Sequence, residues 1–343
     1  MAEAKWLLIE TFGGGTPPSV IAMGRNIKPF MPLDRILHNR IGLTEARRAL
    51  DDIAADHVPI DRISTDGRRR TIAVPVAISP TRLHGVMLWS GHPDTEVPPR
   101  DPAGAWVFNL DDSTDTRSDD LLDLLGVPPS QRCALRRHSI ADVFGSPFVV
   151  NTGDQLMALA RLVRAEHGTN TQSLWALRHP GGELRALHYS CRQLTETGTD
   201  GTTRKMLRGI TYDIGPATDI PTAPPPAILE HRVLEAVAAE GEYRAIIHPR
   251  TLHLLQWIGP PMPGIAWQGF AAQPAPALHP DDIDAARAMV DGLRDGRTSG
   301  RIRVRALDGT WTALDARATL IALDHDTTAA LVTLRHTAAP DRP

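Results

Sequence analysis

Residues 302 to 323 read IRVRALDGTWTALDARATLIAL, two stretches of alternating apolar and polar positions joined at an Asp-Gly. Ile302, Val304 and Ala306 point one way and Arg301, Arg303 and Arg305 the other. Beyond the turn, Leu314, Ala316, Ala318 and Leu320 share a face. Period-two alternation about Asp308-Gly309, whose glycine accepts the positive φ of a tight turn, predicts an antiparallel hairpin. The pattern occurs twice upstream. IDRISTDGRRRTIAVPVAI (60–78) turns at Asp66-Gly67 and puts Ile72, Val74, Val76 and Ile78 on one face. LWALRHPGGELRALHYSCRQL (174–194) turns at Pro180-Gly181-Gly182. A third strand follows each hairpin: LHGVMLW (83–89), MLRGITYDI (206–214) and AALVTLRH (329–336). Such alternation predicts antiparallel sheets with one wet face.

A helix precedes each hairpin. In HPDDIDAARAMVDGLRDG (279–296), Pro280 suits a first helical position, Asp281 and Asp282 complement the dipole, and Ile283, Ala286, Val290 and Leu293 form a stripe. NTGDQLMALARLVRAEHG (151–168) repeats that spacing with Leu156, Leu159 and Val163 and stops at Gly168. LTEARRALDDIAADH (43–57) opens at Thr44 as cap, with Ala46, Leu50 and Ile53 inward. Upstream of the helices lie further strand-like runs: WLLIETF with PSVIAMG, AWVFNL, and YRAIIH with LHLLQWIG. Gly67, Gly181 and Gly309 recur at domain-sized intervals. The unit is thus two strands, a variable helical segment, a longer helix and three antiparallel strands.

Proline-rich joints, GHPDTEVPPRDPAG (91–104) and GPATDIPTAPPPA (215–227), divide the chain into 1–95, 101–217 and 225–337. The last opens with a linker helix at 227–241, whose apolar stripe of Leu229, Val233, Ala236 and Val237 packs within the chain or forms a homodimer contact.

Length and charge narrow the picture. With 343 residues, 42% hydrophobic and 22% charged, the composition is that of a multi-domain globular protein. A net charge of −3 gives no overall attraction to nucleic acid or anionic lipid. Arg68, Arg69 and Arg70 form the one compact basic cluster, which reads as a solvated hairpin rim in preference to a phosphate site. No run approaches the ~18 apolar residues of a membrane helix, and Glu3 ahead of a short apolar run is unlike a secretory signal. Two cysteines, Cys133 and Cys191, build neither a disulfide framework nor a structural zinc site. A cytoplasmic location is expected, with neither nucleic-acid binding nor membrane insertion.

The third unit resembles PAS sensor domains. It has WQGF (267–270), then His279-Pro280-Asp281-Asp282 opening a helix, then RALDGTW (305–311). Trp106, Phe108-Asn109-Leu110, Ser118 and LLDLLG (121–126) resemble the start of many PAS domains, while the first unit reads equally as a divergent PAS unit or a GAF-like relative. Taken whole, the arrangement is similar to an actinobacterial, mycobacterial-type family of stand-alone triple sensor-domain proteins. The resemblance implies an α+β fold of three tandem PAS-like domains, each a five-stranded antiparallel sheet with helices on one face. It also implies a sensory protein without an output domain that binds a small ligand, a protein signalling partner, or both.

Catalytic motifs are missing from the residues. None of the lysines Lys5, Lys28 and Lys205 precedes Ser or Thr, so there is no P-loop; Gly13, Gly14 and Gly15 are followed by a strand and not by the helix of a dinucleotide site. Neither Cys133 nor Cys191 matches the flavin-binding motif of PAS photosensors. His138, His167 and His188 are haem ligands by residue type alone, and His231 reads as a surface helix histidine. The cofactor is therefore unassigned, with flavin photochemistry disfavoured, haem unsupported, and no metal or catalytic residues. A PAS-type pocket in the second unit would be lined by Leu159, Val163, Trp175, Leu177 and His188. In the third unit the proline-rich segment 259–280 reads either as a rigid lid or as filling of the core. The alternatives to a sensor are an interaction scaffold with filled pockets and an enzyme with an unrecognised site.

Overall fold

The computed structural model describes residues 4–337 apart from residues 39, 136, 145–165, 180, 199–200, 218–238, 270–272 and 323–327. Of the helices expected at 151–168 and 227–241, residues 151–165 and 227–238, with Leu159, Val163 and His231, lie outside the described residues, and the described ends 166–168 and 239–241 are not helical.

The first sheet comprises β1 (Leu7–Glu10), β2 (Ser19–Met23), β3 (Asn26–Pro32), β4 (Ile60–Ile63), β5 (Arg70–Ser79) and β6 (Arg82–Gly91), in the order β3-β2-β1-β6-β5-β4. Helices α1 (Leu33–Ile36) and α2 (Arg40–Asp56) join its halves. The second comprises β7 (Ala103–Asn109), β8 (Thr114–Arg117), β9 (Arg137–Ser139), β10 (Asn170–Arg178), β11 (Leu184–Thr197) and β12 (Thr203–Pro216), ordered β10-β11-β12-β7-β8-β9. Between β8 and β10 lie α3 (Asp119–Leu124), α4 (Pro129–Leu135) and α5 (Ile140–Phe144). The third comprises β13 (Tyr243–Ile247), β14 (Leu254–Ile258), β15 (Thr298–Arg305), β16 (Trp311–Ala322) and β17 (Thr328–His336), ordered β14-β13-β17-β16-β15, with α6 (Ile283–Asp291) before β15. Edge strands β3 and β9 apart, each sheet runs second-first-fifth-fourth-third in its own strands. The expected hairpins form, with positive φ at Gly67, Gly182 and Gly309.

Two of the three sheets have six strands, not the five expected. In the first, NIKPFMP forms β3 where a helical segment was expected. Pro29 and Pro32 disfavour helix, and an edge strand tolerates the missing N–H donors. Helix α2 also begins earlier than Thr44. The Thr44 hydroxyl donates to the Arg40 carbonyl at 2.9 Å, so Thr44 lies inside the helix and does not cap it.

The chain sorts into two compact units. One holds Met1–Val107, Thr116–Arg132 and Glu166–Ile220; the other holds Phe108–Asp115, Cys133–Ala165 and Pro221–Pro343.

In the first unit both faces of the first sheet are covered, which departs from the expected wet face. Leu7, Ile9, Val20, Ala73, Val86 and Leu88 pack under Ala46, Ala49, Leu50 and Ile53 of α2. The opposite face, with Trp6, Leu8, Phe12, Ile21, Val76, Met87 and Trp89, packs on Ala105, Ile210 and Tyr212 of the second sheet. Ile72, Val74 and Ile78 turn to this interface and not to the helix. Double cover explains the unbroken apolar runs LLI and VMLW, since strands buried on both faces lose alternation. At Gly85 a Cβ would meet Ile210 Cδ1 and the Ile9 carbonyl oxygen at 2.6 Å, so a bare backbone is needed where the sheets approach. The first proline-rich joint is pinned: the Trp6 indole donates to the Pro98 carbonyl at 2.8 Å and Arg25 to Asp101 at 2.9 Å.

The two sheets are also joined by a buried ion pair. Glu10 has no exposed surface and Arg192 has 1%. Arg192 Nη2 donates to Glu10 Oε1 at 2.9 Å and Nη1 to Oε2 at 3.4 Å; Nε donates to Asn170 and Nη1 also to the Gly13 carbonyl. Glu10 additionally accepts from the Ser19 hydroxyl at 2.6 Å and the Phe12 amide at 2.9 Å. The rings of Phe12 and Phe30 lie 5.9 and 5.6 Å from the guanidinium carbon.

In the compact unit that holds the third sheet, the HPDD sequence and the Asp-Gly hairpin are physically coupled. Pro280–Asp282 form a 3₁₀ turn ahead of α6, and the His279 ring accepts from the Asp281 amide. Asp282 accepts from the backbone amide of Arg303 at 2.7 Å and from its guanidinium at 2.7 and 3.0 Å. That guanidinium holds the Asp282 carboxyl below the usual carboxylate range. Met262, Ile265 and Ala266 of the proline-rich segment are buried. Met262 and Ile265 pack on Leu314, Ala316 and Leu334, so the segment fills this core.

Removing one half of the buried ion pair leaves an uncompensated charge. Glu10→Ala is expected to destabilise the protein by about 3–5 kcal/mol in urea unfolding, and Glu10→Leu with Arg192→Met to recover most of the loss. A single substitution that leaves the midpoint unchanged would show that the pair does not hold the sheets.

Candidate functional site

A cleft of about 180 Å³ opens between the first sheet and helices α1 and α2, all within the first unit. Its origin is legible in α2. The helix presents Gly42 and Ala46 near its start and Leu50 and Ile53 further on, so its early turns leave a gap above the sheet. Ile36 and Leu37 at the end of α1 border the gap, and Leu7, Met23 and Leu88 complete its apolar walls.

The polar lining consists of Lys5, Arg69, Thr71 and Ser90. Arg69 Nη1 donates to the Ser90 hydroxyl at 3.2 Å, and the Thr71 and Ser90 hydroxyls lie 3.3 Å apart. The Arg69 guanidinium lies beside the helix at Gly42, where an added Cβ would be 3.8 Å from Nη1, an ordinary contact distance. The Lys5 stem runs past Gly24, where a Cβ would meet Lys5 Cδ at 3.4 Å. Among the described residues neither Lys5 nor Arg69 pairs with a carboxylate, and Glu45 and Asp52 of α2 are taken by Arg62. Two cations without a carboxylate partner among the described residues, beside two hydroxyls and an apolar wall, form an electropositive, amphipathic recess. Of the Arg68–Arg70 cluster, Arg69 lines this recess while Arg70 forms a rim ion pair with Asp61 at 2.6 Å.

The residues expected to line a second-unit pocket are divided by the sheet. Strand β10 pairs Leu174 with His188, Trp175 with Leu187 and Leu177 with Arg185. Side chains alternate along strands. Trp175 and Leu177 therefore share a face with Tyr189, whose ring is 5.2 Å from Trp175, and His188 lies on the opposite face with Tyr212. Leu159 and Val163 are outside the described residues.

The other histidines are dispersed. In the second unit His138 is fully buried between two carboxylates, with Asp115 Oδ2 at 3.2 Å from Nε2 and Asp142 Oδ2 at 2.7 Å from Nδ1. His167 Nδ1 accepts from the Thr195 amide at 3.0 Å. Cys133 is exposed and Cys191 buried, both as free thiols. Gly13, Gly14 and Gly15 form a positive-φ loop whose Gly13 carbonyl serves Arg192. Among the described residues no group of three or more His, Cys, Asp or Glu side chains could hold a metal ion, and no helix is long and apolar enough to cross a membrane.

Fold and cleft together define an α+β protein of three repeated antiparallel sheets with a recess between sheet and helix. Residues 5–99 match the Rv3651-like N-terminal family and residues 227–342 the Rv3651-like C-terminal domain. The two matches span more than half of the chain, which belongs to this Rv3651-like, mycobacterial-type family. A crystal structure of an uncharacterized protein from Mycobacterium tuberculosis is 26% identical, covering 97% of this chain and 96% of that one, with a TM-score of 0.77. A sensory box histidine kinase/response regulator from Burkholderia thailandensis E264 is 15% identical over 33% of this chain and 77% of its own, at a TM-score of 0.21. An RNA-binding light-oxygen-voltage receptor is 13% identical over 68% and 94%, at a TM-score of 0.26. No curated protein matches the chain.

Two buried histidines make stability pH-dependent. Burial, with Arg208 and Arg82 adding to it, lowers His84 to about 3, and neither ring nitrogen has a hydrogen-bond partner among the described residues. Burial lowers His188 to about 4. Between these values and the ordinary 6.5 the unfolded chain binds more protons, so stability falls as pH drops below about 6.5. Each histidine is expected to cost about 2 kcal/mol on going from pH 7.5 to 5. Urea midpoints measured across that range should flatten in His84→Leu and His188→Leu. An unchanged slope in both variants would contradict the assignment.

Proposed function

We propose that this chain is a sensory protein of PAS-like units, the first of which binds a small ligand between its sheet and helix α2. In this reading it performs no chemistry of its own and reports its ligand state to a protein partner through its sheets and flanking helices. The observation that carries the reading is the sheet-and-helix cleft of the first unit, with Lys5 and Arg69, neither paired with a carboxylate among the described residues, above an apolar wall. The strand order repeated in all three sheets supports descent from one sensor-type unit. A binding site needs a concave apolar surface with a few convergent polar groups, and this cleft supplies both.

A second reading applies to the third sheet. Met262 and Ile265 occupy the space between its strands and α6, as expected of an interaction module whose pocket is filled. The two readings combine in one chain, with the first unit sensing and the third docking.

The test is the mass of the purified full-length protein under native conditions against its denatured mass. A native excess that vanishes on denaturation identifies a retained ligand. Its loss on filling the cleft by Ala46→Leu, with Trp175→Ala and His188→Ala without effect, places it in the first unit. A preparation that carries no adduct and acquires none from cell extract would overturn ligand sensing and leave the interaction reading.

A further inference from the structure

Resting on the sensor reading, the cleft also indicates the chemistry of what it takes. We infer that the first unit recognises a small amphipathic carboxylate, a single aromatic ring or short branched chain bearing one acid group. Three observations converge on this class. The first is charge: Lys5 and Arg69 line the recess without a carboxylate partner among the described residues, whereas Arg62, Arg70 and Arg192 all have one. A guanidinium already anchored by the Ser90 hydroxyl is oriented for a carboxylate, and the neighbouring ammonium adds a second donor.

The second is size. Ligand pockets for drug-sized molecules run to about 300–1,000 Å³, and a dry cavity of about 150 Å³ holds benzene. A cleft of about 180 Å³ therefore suits a ring or short chain and is too small to enclose a nucleotide, flavin or haem.

The third is polarity within the cleft. Thr71 and Ser90 stand beside Arg69 on the sheet, while Leu7, Leu88 and Ala46 form the rest of the wall. A ligand that is anionic throughout would leave the apolar wall unused, and an apolar ligand would leave two cations unanswered. The carboxylate accordingly meets Arg69 and Lys5, and the apolar body lies against Leu88 beneath the early turns of α2.

The test is isothermal titration of the full chain with benzoate, phenylacetate and isovalerate, with benzamide and inorganic phosphate as controls. At least one acid is expected to bind with a Kd below about 1 mM, and benzamide about tenfold or more weakly than benzoate. Arg69→Met and Lys5→Met are each expected to weaken acid binding about tenfold. Gly42→Met fills the cleft from a helical position where a side chain favours the fold, and is expected to abolish binding with the urea midpoint kept. Failure of all three acids overturns the inference, as does phosphate binding as tightly as they do, or Gly42→Met binding like the parent. An adduct retained in the native mass that none of the acids displaces would sink this inference while leaving the sensor reading intact. Acid binding at the cleft in preparations free of any adduct upholds the inference and shows only that the ligand is lost in purification.

Discussion

Placing a carboxylate and a guanidinium together out of water costs several kcal/mol per ion, and the cost is offset only when almost every polar atom finds a partner. Glu10 and Arg192 meet that condition between the first two sheets. The carboxylate accepts from Arg192, Ser19 and the Phe12 amide, and the guanidinium donates to Glu10, Asn170 and the Gly13 carbonyl. Much of the first unit is arranged about this pair. The glycine loop 13–15 brings a carbonyl to it, Phe12 and Phe30 lie within cation–π range, and Gly85 clears the backbone where the sheets meet. Because such a pair tolerates little misplacement, it sets how the two sheets are seated, while the apolar interface around it supplies most of the driving force.

That seating has a consequence for the cleft. With one face of the first sheet committed to the second sheet, only the face beneath α1 and α2 remains for a ligand. There the helix carries small residues early and large ones late, so packing is tight at one end and open at the other. The cations end up over the open end because Lys5 precedes β1 and Arg69 precedes β5, and their side chains reach the helix-covered face. The third sheet solves the same geometrical problem differently. Its proline-rich segment lays Met262 and Ile265 into the core and occupies the space itself. Repetition of one strand order thus coexists with divergence in the segment between the second and third strands, where a ligand would be met.

The hairpins, the final strand of each unit, and the helices at α2 and α6 were legible as patterns, because turn chemistry and periodicity are local properties of a dozen residues. The HPDD opening was legible as well, and its cause is local enough to trace: Asp282 reaches only as far as Arg303. The candidate site was much less so. Arg69 was visible only as part of a basic cluster, and only the pairing of Arg70 with Asp61 separates the rim member from the one that lines the cleft. Trp175, Leu177 and His188 were grouped as one lining. The strand register assigns them to opposite faces, because two strands of alternating residues do not reveal which faces coincide until they are paired.

By itself the sequence determined the elements and their repetition: three Asp-Gly or Gly-Gly hairpins at domain-sized intervals, each with a preceding apolar stripe and a following strand. Tertiary structure alone decided how those elements are covered. The unbroken LLI and VMLW runs carry no label saying which side meets a helix and which meets another sheet. Glu10 and Arg192, 182 residues apart, show nothing of their pairing in the chain. Period and turn chemistry act between neighbours, whereas burial, charge compensation and the shape of a cleft are settled by residues that meet only after the chain has folded.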